Sequence, residues 1–199
     1  MQRASVFVKI PQERIGALIG PEGQVKAVIE KKLSVELQVE SETGGVTITL
    51  LPTASDPTVL FRARETVTAI GRGFSPERAF RLLHDDDDEE ILLKVIDLRD
   101  VVGRSQSDIK RLKGRVIGKN GKTRMLIEEL TEASLSVYGH TISIIGNADQ
   151  TEAAKEAVRM LIRGSQHSTV YRFLHRKRRE FKKKRMELWE TKIPSQTDA

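Results

Sequence analysis

Near the start of the chain Val6, Val8 and Ile10 alternate with polar residues, the period of a strand with one buried face, and Pro11 closes the run. A short helix is predicted up to Ile19, followed by the turn Gly20-Pro21-Glu22-Gly23. Beyond it Val25, Val28, Ile29 and Leu33 recur at helical spacing, and then Val35, Leu37 and Val39 alternate again. Gly44-Gly45 predicts a hairpin turn into a returning strand through Val46, Ile48 and Leu50. Residues 57–70 carry Val59, Leu60, Val67 and Ile70 as an amphipathic helix begun near Asp56. Ser75-Pro76 opens a short extra helix holding Phe80, Leu82 and Leu83.

The same order returns. A strand is predicted over 91–97, a helix over about 108–116, a second helix over 122–130, strands over 135–138 and 141–145 joined through Gly139-His140, and a helix over about 149–163. The two series keep register: Ile19-Gly20-Pro21-Glu22-Gly23 recurs 98 residues later as Ile117-Gly118-Lys119-Asn120-Gly121. At that offset Gly16 matches Gly114, Leu18 matches Val116, and Ile29-Glu30 matches Ile127-Glu128. A period this long marks a duplicated domain rather than a solenoid repeat.

Two helices separated by Gly-x-x-Gly, with apolar residues just before the turn, form the signature of the KH fold, whose loop clamps about four nucleotides. The expected class is α+β: two tandem type I KH domains, each β-α-α-β-β-α with a three-stranded antiparallel sheet packed against helices, plus a basic C-terminal helix. The expected boundaries are 1–84 for the first KH domain with its extra short helix, 85–90 for an acidic linker, 91–166 for the second domain and 167–199 for the basic helix and tail. Glycines let a polynucleotide backbone approach closely, and the following helix offers unpaired N–H groups at its positive end.

The two loops differ chemically. Gly118, Lys119, Asn120, Gly121 and Lys122, with Lys113, Arg115 and Arg124 nearby, form the expected phosphate grip, and Val116, Ile117 and Val137 the expected apolar groove for bases. In the first loop, Gly20, Pro21, Glu22 and Gly23 include a residue without an N–H and a negative charge, with Arg14 and Lys26 as the nearest compensation, so weak binding is expected there.

Charge adds a second element. The formal net charge is +6, and residues 168–199 hold ten Lys/Arg against four acids, so the basic excess lies in the tail and the rest is neutral. A neutral body with a basic helix points to a polyanion, which makes Arg176, Arg178 and Arg179 further candidate RNA contacts. Along this helix Leu174, Phe181 and Leu188 fall seven apart, with Val170 and Met186 near the same side. This seam is expected to dock on the second domain, leaving the basic side to RNA, and Trp189 is open to stacking or packing.

Other chemistries find little footing. The chain has no cysteine, which removes disulfides, zinc fingers and thiol nucleophiles. Residues 1–11 lack the apolar core of a secretory signal and no stretch approaches a membrane span, so a cytoplasmic protein without a membrane partner is expected. Gly118-Lys119-Asn120-Gly121-Lys122-Thr123 ends like a nucleotide-binding P-loop, but that motif needs a glycine where Val116 stands. His84, His140, His167 and His175 show no paired ligand spacing, so no metal or other cofactor is expected. The acidic run at 85–90 is read as a solvated linker, with a metal-dependent nuclease and an RNA mimic as alternatives. No nucleophile with a base is apparent, and the chain is expected to bind rather than catalyse.

From Lys113-Gly114-Arg115-Val116-Ile117-Gly118-Lys119-Asn120-Gly121-Lys122-Thr123 through Val137-Tyr138-Gly139-His140-Thr141-Ile142-Ser143-Ile144-Ile145-Gly146, the chain resembles the partner-of-Nob-one family, also called Dim-two. His167-Ser168-Thr169-Val170-Tyr171-Arg172-Phe173-Leu174 extends the likeness beyond a generic KH domain. The resemblance implies a small-subunit ribosome assembly factor that binds the 3′ region of small-subunit (pre-)rRNA beside a maturation endonuclease, and a monomer is expected. It also implies contact with a translation initiation factor. Eukaryotic members generally lose the first Gly-x-x-Gly, so its retention implies the archaeal type, and Asn120 stands where relatives often have Asp. A KH-domain regulator of mRNA shares the loop and is the alternative.

Overall fold

The computed structural model describes residues 4–54, 56–83 and 90–192, with side chains as far as Glu187. The expectations for His84, for the acidic run at 85–89 and for the side chains of Leu188 and Trp189 lie outside the described residues.

The first half runs β1 (Ser5–Lys9), a 3-10 turn (Gln12–Arg14), α1 (Ile15–Ile19), α2 (Gln24–Leu33), β2 (Val35–Glu40), β3 (Gly45–Leu50), α3 (Val59–Gly71) and α4 (Pro76–Ala79), the last extended by a 3-10 turn (Phe80–Leu83). The second runs β4 (Leu92–Asp97), α5 (Arg99–Val102), α6 (Gln106–Ile117), α7 (Lys122–Thr131), β5 (Ser134–Tyr138), β6 (Thr141–Gly146), α8 (Ala148–Ile162) and α9 (His167–Lys192). The sheets are antiparallel, in the orders β1-β3-β2 and β4-β6-β5.

Shared glutamates show why the repeat persists at the level of atoms. Glu30 Oε1 accepts the Leu37 N–H at 2.8 Å, and 98 residues on Glu128 Oε1 accepts the Leu135 N–H at 2.8 Å, each tying a helix to its edge strand. The helices start and stop where local chemistry dictates. Ser105 caps α6 through the Asp108 N–H, which begins that helix two residues earlier than its apolar spacing predicts. Asn147 and Gln150 form a reciprocal capping box at the start of α8. In α2 the buried stripe is Ile29 and Leu33 with Val25 half-buried, while Val28, off that row, is exposed. The short helix α5 carries no periodic signal long enough to be read from the sequence.

The two halves are not beads on a string. Ile145, and with it Ile91 and Leu93, pack into the same core as Ala79, Leu82 and Leu83, so the first half covers the outer face of the second sheet. Strand β6 is therefore buried along its whole length. A fully buried leucine or isoleucine such as Leu82 or Ile145 contributes roughly 1.5–3 kcal/mol. Polar contacts fix the docking: Ser136 Oγ donates to the Arg72 carbonyl at 2.9 Å, Arg78 pairs with Glu128 at 2.6 Å, and Arg81 donates to Ser134 Oγ at 2.9 Å. Tyr138 lies against Gly73, where an added Cβ would come within 2.7 Å of the Tyr138 Cβ. Its hydroxyl donates to the Glu13 carboxylate while the Arg14 guanidinium sits 5.8 Å from its ring centroid. Burial first, then the hydrogen bond to Glu13, pushes the phenol above its ordinary range.

Helix α9 lies against α7 and α8. Val170 and Leu174 are fully buried there, Phe181 is half-buried, and Met186 is exposed. Met186 thus lies off the covered part of the seam, which among the described side chains runs from Val170 to Phe181. Farther along, Arg178–Glu129, Lys184–Asp149 and Arg185–Glu132 hold the helix by exposed ion pairs at 3.6, 2.5 and 2.9 Å.

Candidate nucleic-acid interface

Both Gly-x-x-Gly turns adopt one backbone path. Gly118 has φ 73 and ψ 177, Asn120 φ 53 and ψ 31, and Gly121 φ 76 and ψ 4. The earlier loop repeats this with Gly20 at φ 73, Glu22 at φ 51 and Gly23 at φ 78. The left-handed third position suits asparagine better than glutamate, giving Asn120 a conformational role besides its lack of charge.

The two glycines of each loop serve different ends. A Cβ on Gly118 would meet Thr123 Oγ1 at 2.2 Å and the Thr123 backbone nitrogen at 2.9 Å, so this glycine lets the turn fold flat on the start of α7. A Cβ on Gly121 would meet nothing within 4 Å, and its open side leaves approach to the first turn of α7 unobstructed. No side chain caps that helix start, and although the Lys122 N–H is taken by the Lys119 carbonyl, the positive end of α7 and the N–H groups just beyond Lys122 face an anion without a competing cap. Lys119, Asn120 and Lys122 are exposed around it.

Other expected contacts are drawn elsewhere. Arg115 donates from Nε to the Leu161 carbonyl at 2.9 Å and from Nη2 to the Ser165 carbonyl at 2.7 Å, closing the end of α8, so it is structural rather than a phosphate ligand. Arg14 does the same for α3, reaching the Ile70 and Phe74 carbonyls at 2.8 and 2.6 Å. Each guanidinium is spent on two carbonyls at or just past a helix end, of which Ile70 and Leu161 also accept a backbone N–H, and a fork of fixed geometry reaches such a pair at once. Lys113 Nζ donates to the Gly139 carbonyl at 2.8 Å in the β5–β6 turn. Arg124 leans toward Glu128 at 3.8 Å, and Lys26 toward Glu30 at 3.7 Å.

Val116 is fully buried in the core and cannot line a groove. Successive helical residues point about 100° apart, and the half-buried Ile117 keeps access, as does Val137 on β5. On α9, Arg178 pairs with Glu129, Arg176 stands 5.7 Å over the Phe173 ring and 3.8 Å from Glu180, and Arg179 is exposed. In the first loop Pro21 and Glu22 are exposed, and with Arg14 drawn away the acid at the tip stands without the compensation its sequence position suggests.

One support was missed from sequence alone. Thr123, buried beneath Gly118, shares a hydrogen bond of 2.9 Å with the Tyr171 hydroxyl, and His167 Nε2 hydrogen-bonds the Arg115 carbonyl at 3.0 Å. The first turn of α9 thereby braces both sides of the loop. The signal lay in residues 167–174, where the family resemblance continues past the domain end, but nothing local says which neighbour they meet.

Comparison with known proteins agrees with this architecture. Residues 92–179 match the model for the second KH domain of PNO1, described as a eukaryotic-type (type I) KH domain. A KH domain-containing protein of Methanocaldococcus jannaschii is 49% identical over 186 residues, 94% of this chain and 79% of that one. The crystal structure of Dim2p from Pyrococcus horikoshii OT3 is similar with a TM-score of 0.79 at 48% identity, covering 87% of this chain and 99% of that one. A crystal structure of an a/eIF2α–aDim2p–rRNA complex from the same organism is similar at 0.82 and 47%, covering 89% of this chain and 96% of that one. With its mixed α+β KH-type fold of three-stranded antiparallel sheets and helices, the chain belongs to the PNO1 (Dim2) family of KH-domain proteins.

Proposed function

We propose that this protein is a non-enzymatic assembly factor of the small ribosomal subunit, holding single-stranded (pre-)rRNA from the 3′ region in the Gly118–Gly121 loop. The observation that carries the reading is the uncapped start of α7 behind an open glycine, ringed by exposed Lys119, Asn120 and Lys122. Helix-end N–H groups and cations hold phosphate without reading sequence. Ile117 and Val137 are the groove residues on which splayed bases would lie. The Pyrococcus relative crystallised with rRNA and a/eIF2α supports both the ligand and an initiation factor as partner.

In this reading the chain comprises two tandem type I KH domains at 1–84 and 91–166, a linker at 85–90 and the basic helix and tail at 167–199. It works in the cytoplasm as a monomer beside an endonuclease that performs the cleavage. The first loop, with Glu22 at its tip, contributes little to RNA binding. The test replaces Lys119 and Asn120 with Asp and measures binding of a single-stranded 3′-end rRNA oligonucleotide at fixed salt. A large loss of affinity is expected, and unchanged affinity would overturn the loop assignment.

A further inference from the structure

Arg176, Lys177 and Lys183 of α9 pair within the helix, with Glu180 and Glu187, and two further sets of its basic residues are treated differently by the fold. Arg178, Lys184 and Arg185 are turned toward α7 and α8, where Glu129, Asp149 and Glu132 neutralise them. Arg172, Arg179 and Lys182, with His175 between the first two, follow one another at spacings of three, four and three residues, which places them in one row on the helix. All four are exposed. Among the described residues no acid pairs with Arg172, Arg179 or Lys182, and Arg172 reaches only Thr169 Oγ1, at 3.5 Å. Together with Arg178 the row borders an open concavity of about 460 Å³. A row of like charges kept side by side on a helix is unfavourable by itself, and neighbours that could neutralise it have acids placed for the other set only.

We propose that this row is a second phosphodiester site, separate from the glycine loop, which takes a further stretch of the same single-stranded RNA. The proposal rests on the loop reading for the identity of its ligand. Two features favour RNA over an acidic protein segment. The row begins at Arg172, next to Tyr171, whose hydroxyl touches Thr123 just past the loop, so a strand leaving the loop has the row beside it. Helix α9 then runs parallel to α7, since Arg178 meets Glu129 and Arg185 meets Glu132 in ascending order. From Arg172 to Lys182 the row extends on the order of 15 Å, long enough for more than one phosphate, and guanidinium groups suit phosphate oxygens.

The test uses the full chain and two unstructured RNAs, one of about four nucleotides that fills only a KH loop and one several times longer. Binding is followed by fluorescence anisotropy over a series of salt concentrations. In the variant Arg172→Gln/Arg179→Gln/Lys182→Gln, the longer RNA should lose on the order of tenfold in affinity at low salt. Its log–log salt slope should become shallower by about 2, since each phosphate contact on a single strand contributes about 0.7. The short RNA should bind as before, and the melting temperature should hold because the replaced side chains are solvated. An unchanged slope for the longer RNA, or an equal loss for both lengths, would overturn the proposal. So would weakened binding of polyglutamate with RNA binding intact, which would assign the row to an acidic protein. The Lys119→Asp/Asn120→Asp variant separates the two readings. If it leaves both RNAs bound while the row variant flattens the slope, the loop assignment falls and the row stands. If it abolishes binding while the row variant does nothing, the reverse holds.

Discussion

Replacing each loop glycine with alanine should separate folding from binding. Gly118 lies at φ 73 and ψ 177, a region other residues avoid at a cost of about 1–3 kcal/mol, and its new Cβ would stand 2.9 Å from the Thr123 backbone nitrogen. A clash with backbone is not relieved by a rotamer change, so Gly118→Ala should cost about 3 kcal/mol, near the upper end of that strain. For a chain of 199 residues that lowers the melting temperature by about 6–12 °C. Gly121 is at φ 76 and ψ 4, and its Cβ meets nothing within 4 Å. Gly121→Ala should therefore cost only the left-handed penalty, about 1 kcal/mol, or about 2–4 °C. Its methyl group nonetheless stands in the approach to α7, and single-stranded RNA affinity should drop on the order of tenfold, about 1.4 kcal/mol. The first loop is an internal control: Gly20→Ala would press on Val25 at 2.4 Å and Gly23→Ala on nothing, so their stabilities should rank the same way while RNA binding barely changes. Thermal unfolding and anisotropy on the four variants decide the matter. A Gly118→Ala protein that melts no lower than Gly121→Ala refutes the packing argument, and a Gly121→Ala protein with full affinity refutes the argument from access.

Three further expectations concern the supports of the loop and the stability of the fold. Tyr171→Phe removes the hydrogen bond to Thr123, worth about 1 kcal/mol, and should lower both the melting temperature and RNA affinity; intact affinity would show that the loop needs no brace from α9. Arg115→Gln should destabilise the protein by about 2 kcal/mol through the two hydrogen bonds lost at the end of α8, while the folded protein keeps its RNA affinity; weaker binding without destabilisation would return Arg115 to the interface. The hydrogen bond from Arg99 holds the Asp97 carboxyl below its ordinary range. A depressed carboxylate stabilises the fold above about pH 4 and loses that contribution as pH falls through its folded value. Asp97→Asn should thus melt slightly lower than the parent at neutral pH, with the gap closing in acid, and a gap that widens in acid would contradict this.

Whatever depends on near neighbours was legible along the chain. The alternation in β1, β2 and β3, the helical spacing in α2, α7 and α8, and the 98-residue register are local patterns, and together they determined the element order and the position of the loop. Even the two-sided burial of β6 left a trace, since Ile144 and Ile145 are consecutive and cannot both face one core. Where long side chains end is settled by the folded molecule. Arg14, Lys113 and Arg115 all lie close to a loop in sequence, yet each reaches a carbonyl 26 to 60 residues away. Tyr171 was legible as part of a family likeness, not as the support of a turn 48 residues earlier. The docking of the first half on the second sheet was likewise hidden, because a residue's spacing records which face it shares with its neighbours but carries no information about what covers that face.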